Sequence, residues 1–93
     1  MAKYPDEVRK VRRISKEMIP KILKEKKCSV SYFYEEFQKQ NPDLCNDEVK
    51  CKCGKNTKRP EWKHQIQWAV ADLRYHKKIA YSKKTDKYSL MKI

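Results

Sequence analysis

The 93-residue chain predicts one small α+β domain: three core helices, an N-terminal helix ahead of them, and a C-terminal two-stranded hairpin. Three observations predict it. Apolar residues recur at helical spacing around Val8–Met18, Val30–Phe37 and Trp62–Leu73. Two segments that alternate with period two, Ile79-Ala80-Tyr81-Ser82 and Lys87-Tyr88-Ser89-Leu90, flank a polar turn. Ten aromatics beside a single Gly exclude a flexible linker, although the mean hydropathy is only −1.07.

Charge narrows the partner. The net charge is +12, and it is unevenly spread. Residues 1–27 hold ten Lys/Arg against four Asp/Glu, residues 28–58 five of each, and residues 59–93 nine against three. Both ends are thus strongly basic and the middle is neutral, an imbalance that attracts polyanions, of which DNA and RNA are the commonest. A solvated, lysine-rich surface is the bland explanation of the same charge. The chain contains no apolar run of membrane-spanning length and no signal-peptide core, so the expected location is the cytoplasm or nucleoid, or the nucleus in a eukaryote. In such a compartment four cysteines predict thiols or a metal site before disulfides.

The elements follow in order. Pro5, Asp6 and Glu7 suit a helix start, and Val8, Val11, Ile14 and Met18 mark an apolar stripe among Arg9, Lys10, Arg12, Arg13 and Lys16. This basic helix is either a solvated face on a packed helix or a phosphate-contacting arm. Pro20 either kinks one long helix or starts a new one; the second is the reading adopted, with a helix from about Ile19 to Lys26 and Ile19, Ile22 and Leu23 facing the core. Residues 1–17 are therefore set apart as an arm, and residues 18–93 as the folded domain. Cys28-Ser29-Val30 reads as a connector or a short first strand. Ser31 is a candidate N-cap for a helix whose apolar face is Val30, Phe33 and Phe37, ended by Asn41-Pro42-Asp43.

The next helix, from Pro60 to about His76, places Trp62, Ile66, Ala69 and Leu73 within a ~60° sector facing the core. Lys63, His64 and Gln67 project elsewhere, near its N-terminus. Trp68, Ala71 and Tyr75 form a second stripe, which fits packing on the N-terminal helix, a dimer surface or a contact to a base. In the hairpin, Lys83, Lys84 and Lys87 crowd the tip around Lys83-Lys84-Thr85-Asp86. Lysines at such a tip touch phosphates or block edge pairing.

Helix, helix, helix and basic hairpin is the order of a winged helix-turn-helix. In that arrangement the N-terminal part of the last helix enters the major groove. Lys63, His64 and Gln67 then become candidate base readers, and Arg59, Lys83, Lys84 and Lys87 candidate phosphate contacts.

Trp68-Ala69, Leu73, Ile79, Tyr88 and Leu90, with Met18-Ile19-Pro20-Lys21-Ile22-Leu23 as a first helix, resemble the winged-helix domain at the N-terminus of Mrr-type restriction proteins. The resemblance spans about Met18 to Leu90. It implies a DNA-binding module of a restriction or modification system, with nuclease activity in a separate domain. Two departures stand out. Where that family has Gly at the end of the recognition helix and in the wing, this chain has Lys77-Lys78 and Lys84-Thr85-Asp86. The cysteine-bearing segment from Leu44 to Lys58 is not a feature of that family.

Cys45, Cys51 and Cys53 fall within nine residues, and Cys28 is available as a fourth ligand. Four thiolates could hold one structural zinc and pin the long segment. The single residue between Cys51 and Cys53 is tight for two ligands. Free thiols, with Cys28 buried as a small apolar residue, and a disulfide are the other readings.

Three function classes follow. The first is duplex DNA binding, alone or beside a partner nuclease. The second is a protein-interaction or homodimerisation adaptor, or a transcription regulator built on the same fold. The third, an enzyme, is not expected. No nucleophile–base pair or phosphate loop is present, and Asp47-Glu48-Val49-Lys50 is a loose echo of a nuclease core.

Overall fold

The computed structural model describes residues 6–45, 47 and 60–91. Among them the architecture is α+β, with three α-helices, a short 3-10 turn and a two-stranded antiparallel sheet. No helix among the described residues is long and apolar enough to cross a membrane.

The first helix, α1 (Asp6–Glu25), corrects the expected break before Pro20. The N-terminal helix and the first core helix are one continuous element of 20 residues, with Pro20 inside it. The boundary drawn between residues 17 and 18 falls within this helix. The reason lies in burial. Val11, Ser15, Met18, Ile19 and Leu23 are all buried and form one stripe that runs straight past Pro20. An interior proline costs ~3 kcal/mol through a lost backbone bond and a ring clash. Burying an apolar side chain of this size gains roughly 1.5–3 kcal/mol, and four of them share the stripe.

Helix α2 (Val30–Gln40) starts earlier than the Ser31 cap implied. Its N-cap is Ser29, extended at φ −85° and ψ 169°, without a side-chain capping bond. The residue before it explains the shift. Cys28 exchanges both backbone bonds with Tyr88 of the hairpin, Cys28 N donating to Tyr88 O at 3.3 Å and Tyr88 N to Cys28 O at 2.7 Å. The expected short strand is thus a single bridge residue, and the chain turns into α2 directly after it. Asn41 N donates back to Phe37 O at 2.8 Å, and a 3-10 turn (Pro42–Leu44) follows where proline forbids more α-helix.

Helix α3 (Glu61–Tyr75) has Pro60 at its N-cap and His76 at its C-cap. Lys77 then adopts φ 58°, while Lys78 N donates to Leu73 O at 2.9 Å and Lys77 N to Arg74 O at 3.0 Å. These two bonds close a Schellman motif whose left-handed position is usually Gly. Strands β1 (Ile79–Ser82) and β2 (Lys87–Leu90) pair with Ile79 opposite Leu90 and Tyr81 opposite Tyr88. In the turn between them Asp86 takes φ 53° and accepts a bond from the Tyr81 hydroxyl at 2.5 Å. Lys77 and Asp86 are thus the two non-Gly residues that hold left-handed backbone among the described residues.

One core joins these elements. Val11, Met18, Ile19 and Leu23 of α1 meet Phe33 and Phe37 of α2, the Trp62, Ile66, Ala69, Val70 and Leu73 face of α3, and Ile79. Cys28 belongs to the same core. Phe37 and Trp62 stack with centroids 6.2 Å apart, and Phe33 meets Tyr88 at 5.8 Å, so the hairpin is tied to α2 as well as to α3.

Candidate nucleic-acid interface

Helix α3 buries about half its circumference. The expected core face is widened on one side by two polar residues, Glu61 at 1% exposure and Gln65 at 5%. At ~100° per residue the remaining arc presents Lys63, Gln67 and Arg74 along one edge, His64 and Ala71 in the middle, and Trp68 and Tyr75 along the other. The first edge adjoins α2 and the second adjoins α1.

On the α2 edge the expected readers are half-buried and engaged with protein. Gln67 Nε2 donates to the Tyr34 hydroxyl at 2.5 Å. The Lys63 ammonium sits 5.5 Å from the centroids of both Tyr34 and Trp62, in cation–π range. His64 Nδ1 lies 3.5 Å from Glu61 Oε1, and its ring tilts against Trp68 at 5.7 Å. Lys63, His64 and Gln67 thus share one part of the surface, but each is positioned by a neighbour. Arg59 lies outside the described residues.

On the α1 edge a polar chain runs inward that sequence patterning missed. Arg12 Nε donates to Gln65 Oε1 at 2.8 Å, and Gln65 Nε2 donates to Glu61 Oε1 at 2.6 Å. Glu61 Oε2 is buried without a hydrogen-bond partner among the described residues. The Arg12 guanidinium also lies over Trp68, 5.2 Å from its centroid. This contact sets Trp68 beside α1, as one reading of its stripe expected, yet Trp68 remains 49% exposed and Tyr75 81%. One turn along α1, Lys16 Nζ pairs with Asp72 Oδ2 at 2.5 Å, and His76 Nε2 stands 3.4 Å from Asp72 Oδ1. The Lys16 hydrogen bond holds the Asp72 carboxyl below the usual carboxylate range. The signal for Gln65 and Glu61 was their i, i+4 spacing beside the apolar stripe, which polarity concealed.

The hairpin tip is open and basic. Lys83, Lys84 and Lys87 are all exposed. Its base is fixed to α3 by Arg74, whose guanidinium lies 5.5 Å from the Tyr81 centroid. The bond to Asp86 raises the Tyr81 hydroxyl above its ordinary range, with Arg74 acting the other way.

The cysteines occupy different surroundings. Cys28 is buried at the bridge to Tyr88, and burial pushes its thiol up, against Lys26 and Lys87. Cys45 follows the 3-10 turn and donates to Asn41 O at 3.5 Å. Burial, reinforced by Asp47, pushes its thiol up to about 11, with Lys63 acting the other way. Nearby, Trp62 Nε1 donates to Asp47 Oδ1 at 2.8 Å, which ties residue 47 to the start of α3. Cys51 and Cys53 lie outside the described residues, among which no group of three or more His, Cys, Asp or Glu could hold a metal ion.

Compared with family models, with curated proteins and with solved structures, the chain shows no match.

Proposed function

We propose that this chain is a winged helix-turn-helix module that binds duplex DNA, with α3 against the major groove and the hairpin as its wing. One observation carries the reading. The outward face of α3, bearing Lys63, His64, Gln67 and Arg74, adjoins a hairpin whose exposed tip bears Lys83, Lys84 and Lys87. A helix bearing Gln and Lys near its N-terminus suits base edges, and a lysine-tipped hairpin beside it suits the phosphate backbone. The bridge from Cys28 to β2 supports the winged topology, because it ties the segment between α1 and α2 to the wing. The chain's charge of +12 supplies the long-range attraction. On the resemblance to Mrr-type domains, the module serves a restriction or modification system, and cleavage belongs to a separate domain or a partner nuclease.

The test is duplex affinity across a salt series. Lys83→Ala/Lys84→Ala is expected to weaken binding to all duplex sequences alike and to lower the salt slope by about one per lysine removed. Gln67→Ala is expected to relax preference at one base pair instead, by roughly 1–3 kcal/mol. Unchanged duplex affinity in the double lysine variant sinks the wing assignment. A stable homodimer with only weak, sequence-blind DNA binding favours the adaptor function instead.

A further inference from the structure

Arg9, Arg12, Arg13 and Lys16 lie at spacings of three and four along α1, on one face of the helix. With Glu17, Leu73 and Lys78 they line a groove of about 400 Å³ between α1 and the C-terminal half of α3. Like charges at this spacing repel one another. Lys16 is neutralised by Asp72, but no ion pair among the described residues engages Arg9, Arg13 or Lys78. Glu17 is the one acid on the lining. A bound polyanion relieves that repulsion.

Arg12 connects the groove to the exposed aromatics. Its Nε is held by buried Gln65 and its guanidinium carbon lies 5.2 Å from the Trp68 centroid, so its position is set before any ligand arrives. Tyr75 stands two helical turns beyond Trp68 on the same edge of α3, at ~10.5 Å of rise. Duplex DNA offers base edges in its grooves and keeps the base faces stacked inside. Exposed aromatic rings beside arginines instead match unpaired bases, which stack on the rings while the cations follow the phosphates.

We propose that this groove binds single-stranded DNA, with its phosphates along Arg9, Arg12, Arg13 and Lys78 and its bases on Trp68 and Tyr75. The site is separate from the hairpin tip and does not rest on the duplex reading.

The experiment uses the full chain with oligo-dT of roughly 15 nucleotides, the matching oligo-rU, and a duplex of the same length. Oligo-dT is expected to quench tryptophan fluorescence, with the quench lost in Trp68→Phe, because Trp62 is buried in the core. Trp68→Ala and Tyr75→Ala are each expected to weaken oligo-dT binding about 5- to 150-fold while changing duplex affinity less than about twofold. Tyr75 is so exposed that its variant carries the test even if Trp68→Ala lowers the melting temperature. The proposal is overturned if Arg9→Ala/Arg13→Ala weakens oligo-dT binding but both aromatic variants leave it unchanged, for the groove is then a phosphate surface alone. Equal losses on duplex and single strand overturn it too, and tighter binding of oligo-rU overturns the assignment to DNA. Lys83→Ala/Lys84→Ala tests the wing on duplex DNA without altering this groove, so the two fail separately.

Discussion

The two edges of α3 differ in what they offer to solvent. Along α2, Gln67 is bonded to Tyr34 and Lys63 rides over Tyr34 and Trp62, so polar groups with apparent freedom are held by aromatic partners. Along α1 the aromatics are outside: Trp68 and Tyr75 face solvent, and the pinned cation Arg12 lies against Trp68. Both edges use the same residue types with the order of layers reversed. The difference teaches that an outward helical position is not yet a reading position. Its neighbour on the adjoining helix decides whether the side chain is held in place or left open to a ligand.

The largest effect on this comparison comes from removing what seats α2. Phe37 is fully buried and stacks on Trp62, the residue that opens the core face of α3. Phe37→Ala is expected to cost about 3–5 kcal/mol, which for a domain of this size approaches its whole stability. The cooperative thermal transition should be lost or fall by tens of degrees. A melting temperature within a few degrees of wild type would mean that α2 is not what holds the first edge.

Gln65 tests the second edge at a smaller scale. Gln65→Ala leaves Arg12 Nε and the buried Glu61 carboxylate without their shared partner, at a cost of about 1–3 kcal/mol by chemical denaturation. It should also weaken single-strand binding without touching Trp68, because Arg12 loses its fixed position. Full affinity in a destabilised Gln65→Ala would separate the stability of this edge from its binding.

The legibility of these features in the sequence follows their chemistry. The core face of α3 and the strand pairing of Ile79 with Leu90 and Tyr81 with Tyr88 were open to pattern reading, because apolar periods of 3.6 and two report burial directly. Pro20 misled, because proline reads as punctuation until the apolar stripe on both sides of it is seen to be one stripe. The i, i+4 spacing of Glu61 and Gln65 was visible but their burial was not, since it depends on Arg12, a partner distant in sequence. The outward positions of Lys63 and Gln67 followed from helical spacing, yet their contacts to Tyr34 are tertiary facts that no local spacing encodes. The α1 groove was half legible: the basic stripe was visible and its meeting with Lys78 was not.

The end of α3 supplies a prediction of opposite sign. Lys77 holds a left-handed backbone at the Schellman position, where a side chain with Cβ costs roughly 1–2 kcal/mol. Lys77→Gly is expected to raise stability by about 1 kcal/mol, a gain of several degrees in melting temperature. It should leave both binding edges unchanged, because Lys77 lies past the helix and outside the groove lining. A loss of stability would show that the turn into β1 relies on the lysine side chain.

The smallest effect concerns pH and the pairing of Lys16 with Asp72. Asp72 has its carboxyl pKa lowered in the folded chain, first by the Lys16 hydrogen bond and then by the charges of Lys16, His76 and Arg12. A depressed folded pKa means that the folded state favours the carboxylate. The contribution is fully present above the unfolded value of 3.8 and is lost as pH falls through the lower folded value. Asp72→Asn should therefore flatten the acid limb of stability below about pH 4 and leave the limb above neutrality unchanged. The same substitution frees Lys16 beside Arg9, Arg12 and Arg13, so single-strand affinity should rise and its salt slope steepen by about one. If the acid limb flattens while the salt slope stays fixed, Lys16 serves only to hold α1 on α3, and the binding stripe reduces to the three arginines and Lys78.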